Sequence, residues 1–471
     1  MTNHGHEFAR IVGLCVALGA GAMNQAGAQE LAGRPEVSGT WAGTLNAGGQ
    51  ELSLVFHILR GGDGLLSGTM DSPDQGAYGL VLSAVEEGDD GSVRFEFSMA
   101  GGEYTGQFSD EGDRIQGNWA QGGGSFPLLL ERADAEALAP RRPQEPQPPF
   151  PYEALDVEFE NPEAGIRLAG TLTIPASDGS HPAVALLSGS GPQDRDETVF
   201  GHRPFLVLAD YLSRRGIVVL RFDDRGIGQS TGNFAVATTK DFASDALAAV
   251  AFLRKRSEVD PERIGLVGHS EGAVVAPMAA ELGGEIAFAV LLASTGVDGR
   301  ELLVMQAKAI NRASGLPEAV IEQRAQVQGA LLDVVVAAEN DSVAAERARA
   351  ILADAGLTGD VADGQVRSLL SPWMKYFLVY DPLPALRELS IPVLALNGEK
   401  DTQVPPTENL LPVEKALRDG GNPDVTAEVL PGLNHLFQTS ETGAPAEYAG
   451  IEETFSPEAL EKIATWIAER T

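Results

Sequence analysis

The sequence predicts an α/β fold, an open and mostly parallel sheet with helices on both faces, preceded by a small all-β N-terminal domain. Three observations predict it. From about 153 to 471, short continuous apolar runs such as Ala183-Val-Ala-Leu-Leu187 and Val290-Leu-Leu-Ala293 alternate with amphipathic helical stretches, as strands do when both faces are covered. From about 36 to 132, apolar and polar residues alternate at a period of two, the signature of half-buried strands. Between them lies Pro143-Gln-Glu-Pro-Gln-Pro-Pro-Phe-Pro151, and proline at that density makes 133–152 a semi-rigid linker.

The chain begins with a signal-peptide pattern over residues 1–28. Ile11 to Ala22 is apolar but too short to span a bilayer, and Ala26-Gly27-Ala28 is a small-residue cleavage site. No other stretch is apolar enough to span one, so the expectation is an exported protein, periplasmic or secreted, with no membrane insertion. The single cysteine, Cys15, falls in this segment. A mature chain without thiols excludes disulfides and a cysteine nucleophile.

Within 36–132, Leu52, Leu54, Phe56 and Ile58 share one face, as do Val93, Phe95 and Phe97, and Phe126, Leu128 and Leu130. Gly- and Asp-rich turns such as Arg60-Gly-Gly-Asp-Gly64 separate them. Three glycine-containing strands recur, at 38–44, 104–108 and 115–119, the habit of a small meandering barrel. No catalytic constellation occurs here, and His57, alone on a strand, reads as structural.

From 153 the elements come in turn. A hairpin covers 157–175. Strands are predicted at 183–187, 217–222, 263–267, 287–293, 392–396 and 426–430. Helices are predicted at 204–215, 240–256, 272–282, 406–419 and 457–470, the last opened by Ser456 as N-cap and Pro457 at the first helical position. Residues 297–380 interrupt the alternation with helical spacing and no strand signal. They read as a helical cap over the C-terminal edge of the sheet. Its aromatic end, Ser371 to Tyr380, either lines a pocket or seats the cap.

Composition bounds the partners. With 67 Asp and Glu against 34 Lys and Arg, the net charge is −33, which argues against nucleic acid and anionic membrane surfaces.

The chemistry concentrates at Gly268-His269-Ser270-Glu271-Gly272. A strand runs directly into it and a helix directly out, which lifts a serine clear of the sheet on a strained turn. In a chain with 54 glycines the pentapeptide alone is weak, and Gly228-Gln-Ser230-Thr-Gly232 also matches. Ser230, however, lies in a polar loop with no helix after it, so Ser270 is the candidate nucleophile. A serine nucleophile needs a base, and the base an orienting acid. Of five histidines beyond residue 28, His57 is in the other domain, His181 precedes a strand, and His269 is the neighbour of Ser270. His202 is not dismissed by position. His435 follows the last strand in Leu430-Pro-Gly-Leu-Asn-His435 and is the best base. Asp401, after the strand ending in Asn397-Gly-Glu-Lys, is the first choice of acid, with Glu399 and Asp298 behind it. Oxyanion donors are expected from the N–H of Glu271 and from Ser190 or Gly191, in the glycine-containing loop after the first central strand. That loop has Asp194 where a phosphate cradle needs a third glycine. The charged turn Asp223-Asp-Arg-Gly-Ile-Gly-Gln-Ser230 is expected to knit neighbouring loops together.

Taken together, Leu187-Ser-Gly-Ser-Gly-Pro-Gln-Asp-Arg-Asp-Glu197, Phe222-Asp-Asp-Arg-Gly-Ile-Gly-Gln-Ser230, Gly268-His-Ser-Glu-Gly272, Asn397-Gly-Glu-Lys-Asp401 and Gly432-Leu-Asn-His435 resemble the α/β-hydrolase superfamily, and within it the serine carboxylesterases. The resemblance covers about 153–471. It implies the α/β-hydrolase fold, a triad of Ser270, Asp401 and His435, and hydrolysis of small acyl esters through an acyl-enzyme with no metal or organic cofactor. Serine peptidases and aminopeptidases, and thioester or lactone hydrolases, are the alternatives on the same scaffold. A binding protein built on that scaffold is the alternative from another class.

Overall fold

A computed structural model describes residues 36–471 apart from 48–49, 62–63, 76, 89, 98–100, 135–137 and 139–140. The signal-like segment and Cys15 lie outside the described residues. Two compact units emerge: 36–141 with Ala446–Glu452, and Arg142–Pro445 with Glu453–Thr471.

The first unit is an antiparallel meander of nine strands. They are β1 (Gly39–Ala47), β2 (Gln50–Arg60), β3 (Leu66–Ser72), β4 (Ala77–Val81), β5 (Ala84–Glu87), β6 (Ser92–Phe97), β7 (Gly102–Phe108), β8 (Arg114–Gln121) and β9 (Gly124–Ala133). Their order is β4-β3-β2-β1-β9-β8-β7-β6-β5. The two edges, β4 and β5, are joined by only Leu82 and Ser83, so the sheet must curl until its edges approach. The period-two faces turn inward as their spacing predicts: Phe56, Ile58, Phe95, Leu128 and Leu130 are buried with Trp41, Tyr104 and Ile115. His57 bonds Asp71 at 2.8 Å and Thr40 at 3.2 Å, a structural role.

The second unit holds an eight-stranded sheet: β10 (Tyr152–Asn161), β11 (Ile166–Pro175), β12 (His181–Leu187), β13 (Val218–Phe222), β14 (Val259–His269), β15 (Phe288–Leu292), β16 (Val393–Gly398) and β17 (Val425–Leu430). The order is β10-β11-β13-β12-β14-β15-β16-β17, parallel from β13 to β17 with only β11 reversed. This is the strand order of the α/β-hydrolase fold. The strands are apolar throughout because both faces are covered. One core packs Leu220, Leu266, Ala273 and Val413, and a second, on the other face, packs Val267, Val290, Leu396 and Ile463. Strands and helices shift by a few residues from the predicted spans; β14 begins four residues early, at Val259.

Between β15 and β16 lie five helices, Gly299–Ala313, Glu318–Ala337, Asp341–Asp354, Gly359–Leu369 and Pro372–Val379, followed by the short Leu383–Glu388. They share a small core of their own around Leu332, Leu352, Val366 and Leu378. The proline-rich stretch is not free of the second unit: Gln144 accepts from the N–H of Thr454 and Phe455 and donates to the Phe455 carbonyl. Its side-chain amide is thereby spent on one backbone turn, which ties the segment down.

Candidate active site

β14 ends at His269 and the next helix starts at Glu271, so one residue makes the turn. Ser270 has φ 53° and ψ −113°, a conformation that costs an L-residue of order 1–3 kcal/mol. Two glycines permit the crowding around it. A Cβ on Gly268 would run into the Gly272 carbonyl, and one on Gly272 into the Leu187 carbonyl. The Ser270 N–H donates to the Leu292 carbonyl of β15 at 2.8 Å, which pins the elbow to its neighbouring strand.

Asp401 and His435 come from the loops after β16 and β17, adjacent strands whose carboxyl ends face the same rim. Asp401 Oδ2 lies 2.8 Å from His435 Nδ1, and both side chains are buried. Asp401 Oδ1 accepts from the N–H of Gln403 and Val404, each at 2.8 Å. With a carboxylate at Nδ1, that nitrogen carries the hydrogen and Nε2 keeps its lone pair. Among the described residues no hydrogen bond joins His435 to the Ser270 hydroxyl; such contacts are often long before substrate binds. The other acids are engaged elsewhere. Asp298 caps its helix by accepting from Glu301 N, and Glu399 accepts from Gly432 N.

The loop after β12 touches the elbow: a Cβ on Gly189 would lie 3.4 Å from Ser270 Cβ. The Gly189 N–H is spent on Glu197 Oε1 at 2.6 Å. Neither Ser190 N–H nor Gly191 N–H has a partner among the described residues, and Gly191 takes φ 100°. Glu271 opens a helix, so its N–H has no intrahelical acceptor. These three N–H groups are thus unspent among the described residues. The charged turn after β13 ties the loop in place. Asp223 receives Arg195 in a two-point pair at 3.1 and 2.8 Å, and Asp224 receives Ser188 Oγ and Gln193 N. Ser230 lies buried in that turn, its hydroxyl given to the Asp223 carbonyl. His202 is packed between Thr454 and Gln438, and His181 bonds the Ser177 carbonyl.

Three buried groups make contacts that spacing along the chain does not reveal. His269 is buried with both nitrogens engaged, Nδ1 to Glu197 Oε1 at 2.8 Å and Nε2 to the His435 carbonyl at 2.9 Å. Burial alone would lower its pKa, but the charge and hydrogen bond of Glu197 outweigh that and hold it above 6.5. Glu271 directs its carboxyl to Thr239 Oγ1 and Trp373 Nε1, both at 2.7 Å, and burial pushes it up to about 7. Asp224 is likewise raised by its enclosure, with Glu271 and Asp245 adding repulsion. Neither Glu271 nor Asp224 has a cationic partner among the described residues. A narrow pocket opens between Ser188, Gly189, Asp224, Phe242 and Val275. Trp373 stacks on Phe377 at 4.9 Å, and Gly299 packs under Phe377; these aromatics seat the helical insertion. No His, Cys, Asp or Glu cluster suited to a metal ion occurs among the described residues.

The chain is similar to several known proteins. Esterase EstD of Thermotoga maritima is 28% identical over 304 residues, which cover 64% of this chain and 65% of EstD. An uncharacterised Mycobacterium tuberculosis protein is 38% identical over 122 residues, 26% of this chain and 39% of that protein. The matches thus span less than two thirds of each of these relatives. The Pyrococcus furiosus esterase Pf2001 aligns with a TM-score of 0.43 at 18% identity, over 70% of this chain and 97% of that one. The family model described as serine aminopeptidase, S33, matches residues 203–442. That span is just over half of the chain and carries the elbow and both loops behind Asp401 and His435, and the protein belongs to this family.

Proposed function

We propose that the protein is a serine hydrolase of carboxylic esters, using Ser270 as nucleophile, His435 as base and Asp401 as its orienting acid. The observation that carries the reading is the buried Asp401–His435 hydrogen bond on the rim where the strained Ser270 stands. His435 Nε2 takes the hydroxyl proton as Ser270 Oγ attacks the ester carbonyl. The N–H groups of Glu271 and of Ser190 or Gly191 hold the oxyanion. His435 returns the proton to the departing alcohol, leaving an acyl-serine. Water repeats the cycle with His435 as base, releasing the acid and restoring Ser270. The five helices between β15 and β16 serve as the cap. Ser270→Ala is expected to cut turnover of short p-nitrophenyl esters by about 10⁴-fold or more, with unchanged circular dichroism. Undiminished hydrolysis overturns the assignment.

One observation favours a second reading. Glu271 and Asp224 are enclosed acids without a cationic partner among the described residues, and Asp224 lines the pocket at the oxyanion loop. Such acids suit a substrate bearing an amino group, as in cleavage of an N-terminal residue. Paired assays on p-nitrophenyl acetate and aminoacyl p-nitroanilides decide: faster kcat/KM on the anilides replaces the esterase reading with a peptidase one.

A further inference from the structure

Three loops meet at the site, and one buried side-chain pair touches all of them. Glu197 Oε1 accepts from Gly189 N at 2.6 Å on the oxyanion loop and from His269 Nδ1 at 2.8 Å on the elbow. His269 Nε2 reaches the carbonyl of His435, on the base loop, at 2.9 Å. A carboxylate and a carbonyl only accept, so with Glu197 ionised both ring nitrogens carry hydrogen and His269 is an imidazolium. Glu197 itself sits at φ 52° and is buried, a conformation the surroundings have to impose. The groups facing His269 are Glu197, the His435 carbonyl, the His435 ring at 4.8 Å between centroids and the Phe437 ring at 6.4 Å, with the Asp401 carboxylate close enough to add its charge.

We propose that Glu197 and His269 form an ionic clasp that sets the oxyanion loop, the elbow and the base loop in one mutual register. Both are positioning residues. Glu197 fixes Gly189, and with it the next N–H at Ser190. His269 fixes the backbone of His435, while Asp401 fixes its ring. The clasp rests on the triad reading above. A buried charge pair is costly to desolvate, and an apolar pair of the same size would fill the space as well. What the ions add is directional: donors and an acceptor aimed at three separate loops.

The test uses the full chain with p-nitrophenyl acetate and a fluorophosphonate probe. His269→Leu removes both donors and is expected to lower kcat about 10²-fold, the cost of ångström-scale misplacement, with KM within about threefold. Fluorophosphonate labelling of Ser270 slows in parallel. His269→Gln restores a donor toward the His435 carbonyl and is expected to recover about tenfold of that loss, one charge-free hydrogen bond. Glu197→Gln removes the charge that holds His269 protonated. The wild-type kcat/KM should fall as pH rises through the His269 pKa, which lies above 6.5. In Glu197→Gln that alkaline limb should move about one unit or more toward acid, a change that a purely structural role does not produce. If Ser270→Ala is inactive but His269→Leu and Glu197→Gln keep the parental kcat and pH profile, the clasp is overturned and the triad stands. If Ser270→Ala retains turnover, the triad falls and takes the clasp with it. If His269→Leu fails to fold, the Glu197→Gln profile decides alone: a shifted limb supports the clasp and an unmoved one overturns it.

Discussion

The two units bury different things. Among the described residues of the first, the buried polar side chains are Thr40 and Ser72, and no charge is buried. Its core is aromatic, with the Tyr104 hydroxyl given to the Ile115 carbonyl and the Trp41 indole N–H to Val37. The second unit buries Glu197, Arg221, Asp223, Arg225, Asp245, His269, Glu271, Asp401 and His435. A buried ion costs several kcal/mol unless paired and hydrogen-bonded. Most of these are: Arg225 pairs with Asp245 at 2.8 Å, and Asp223 with Arg195 at 2.8 Å. The contrast teaches where each unit's sequence is constrained. In the first, shape and volume decide; in the second, so do the directions of donors and acceptors.

Three substitutions break or sharpen that contrast. The largest effect is expected from Asp401→Asn, which keeps the volume but favours the wrong tautomer of His435. It should lower kcat about 10⁴-fold, measured by steady-state ester hydrolysis; a loss under tenfold removes Asp401 from the site. Next comes Trp41→Ala in the first unit. Trp41 is fully buried, packs edge-on to Phe108 at 5.6 Å and lies under Arg132 at 4.3 Å. The cavity should cost about 3–5 kcal/mol of stability, read by calorimetry, while kcat of the folded protein is unchanged. A drop in kcat would show that the first unit takes part in the chemistry.

The smallest effect concerns Glu271, whose folded pKa of about 7 exceeds its ordinary 4.5. The folded state therefore holds this proton more tightly than the unfolded chain. The stabilisation it contributes is complete below pH 4.5, declines as pH rises from 4.5 to 7, and is absent above. Glu271→Gln keeps an acceptor for Thr239 and Trp373 without the charge. It should gain on the order of 3 kcal/mol over the parent at pH 8.5 and nothing at pH 4. Equal melting shifts at both pH values would show that a cation compensates the carboxylate.

Much of the second unit was readable along the chain, for reasons that are local. Continuous apolar runs reveal strands covered on both faces. A strand leading straight into Gly268 and a helix leading straight out of Gly272 separate Ser270 from Ser230. Alternation at Leu54, Phe56 and Ile58 likewise shows which face of a strand turns inward. Position after a strand was enough to place Asp401 and His435 on loops at one rim, since parallel neighbours end together. It ranked Asp401 ahead of Glu399 and Asp298 without excluding them, because all three follow strands; the contacts separate an acid that meets an imidazole from one that caps a helix.

The amino-acid sequence by itself determined the period of each element, the turn that strains Ser270 and the chain order of the candidate triad. The first two depend on neighbours two to four positions apart, and the third is simply order along the chain. Tertiary structure alone decided that Glu197 meets His269 across 72 residues, that His269 holds the His435 carbonyl across 166, and that Gln144 fastens to Phe455 across 311. Such bonds leave no local period, because they form only after the sheet has brought strand ends together. Burial then turns an ordinary glutamate and histidine into a charge pair whose partners are set by geometry rather than by sequence spacing.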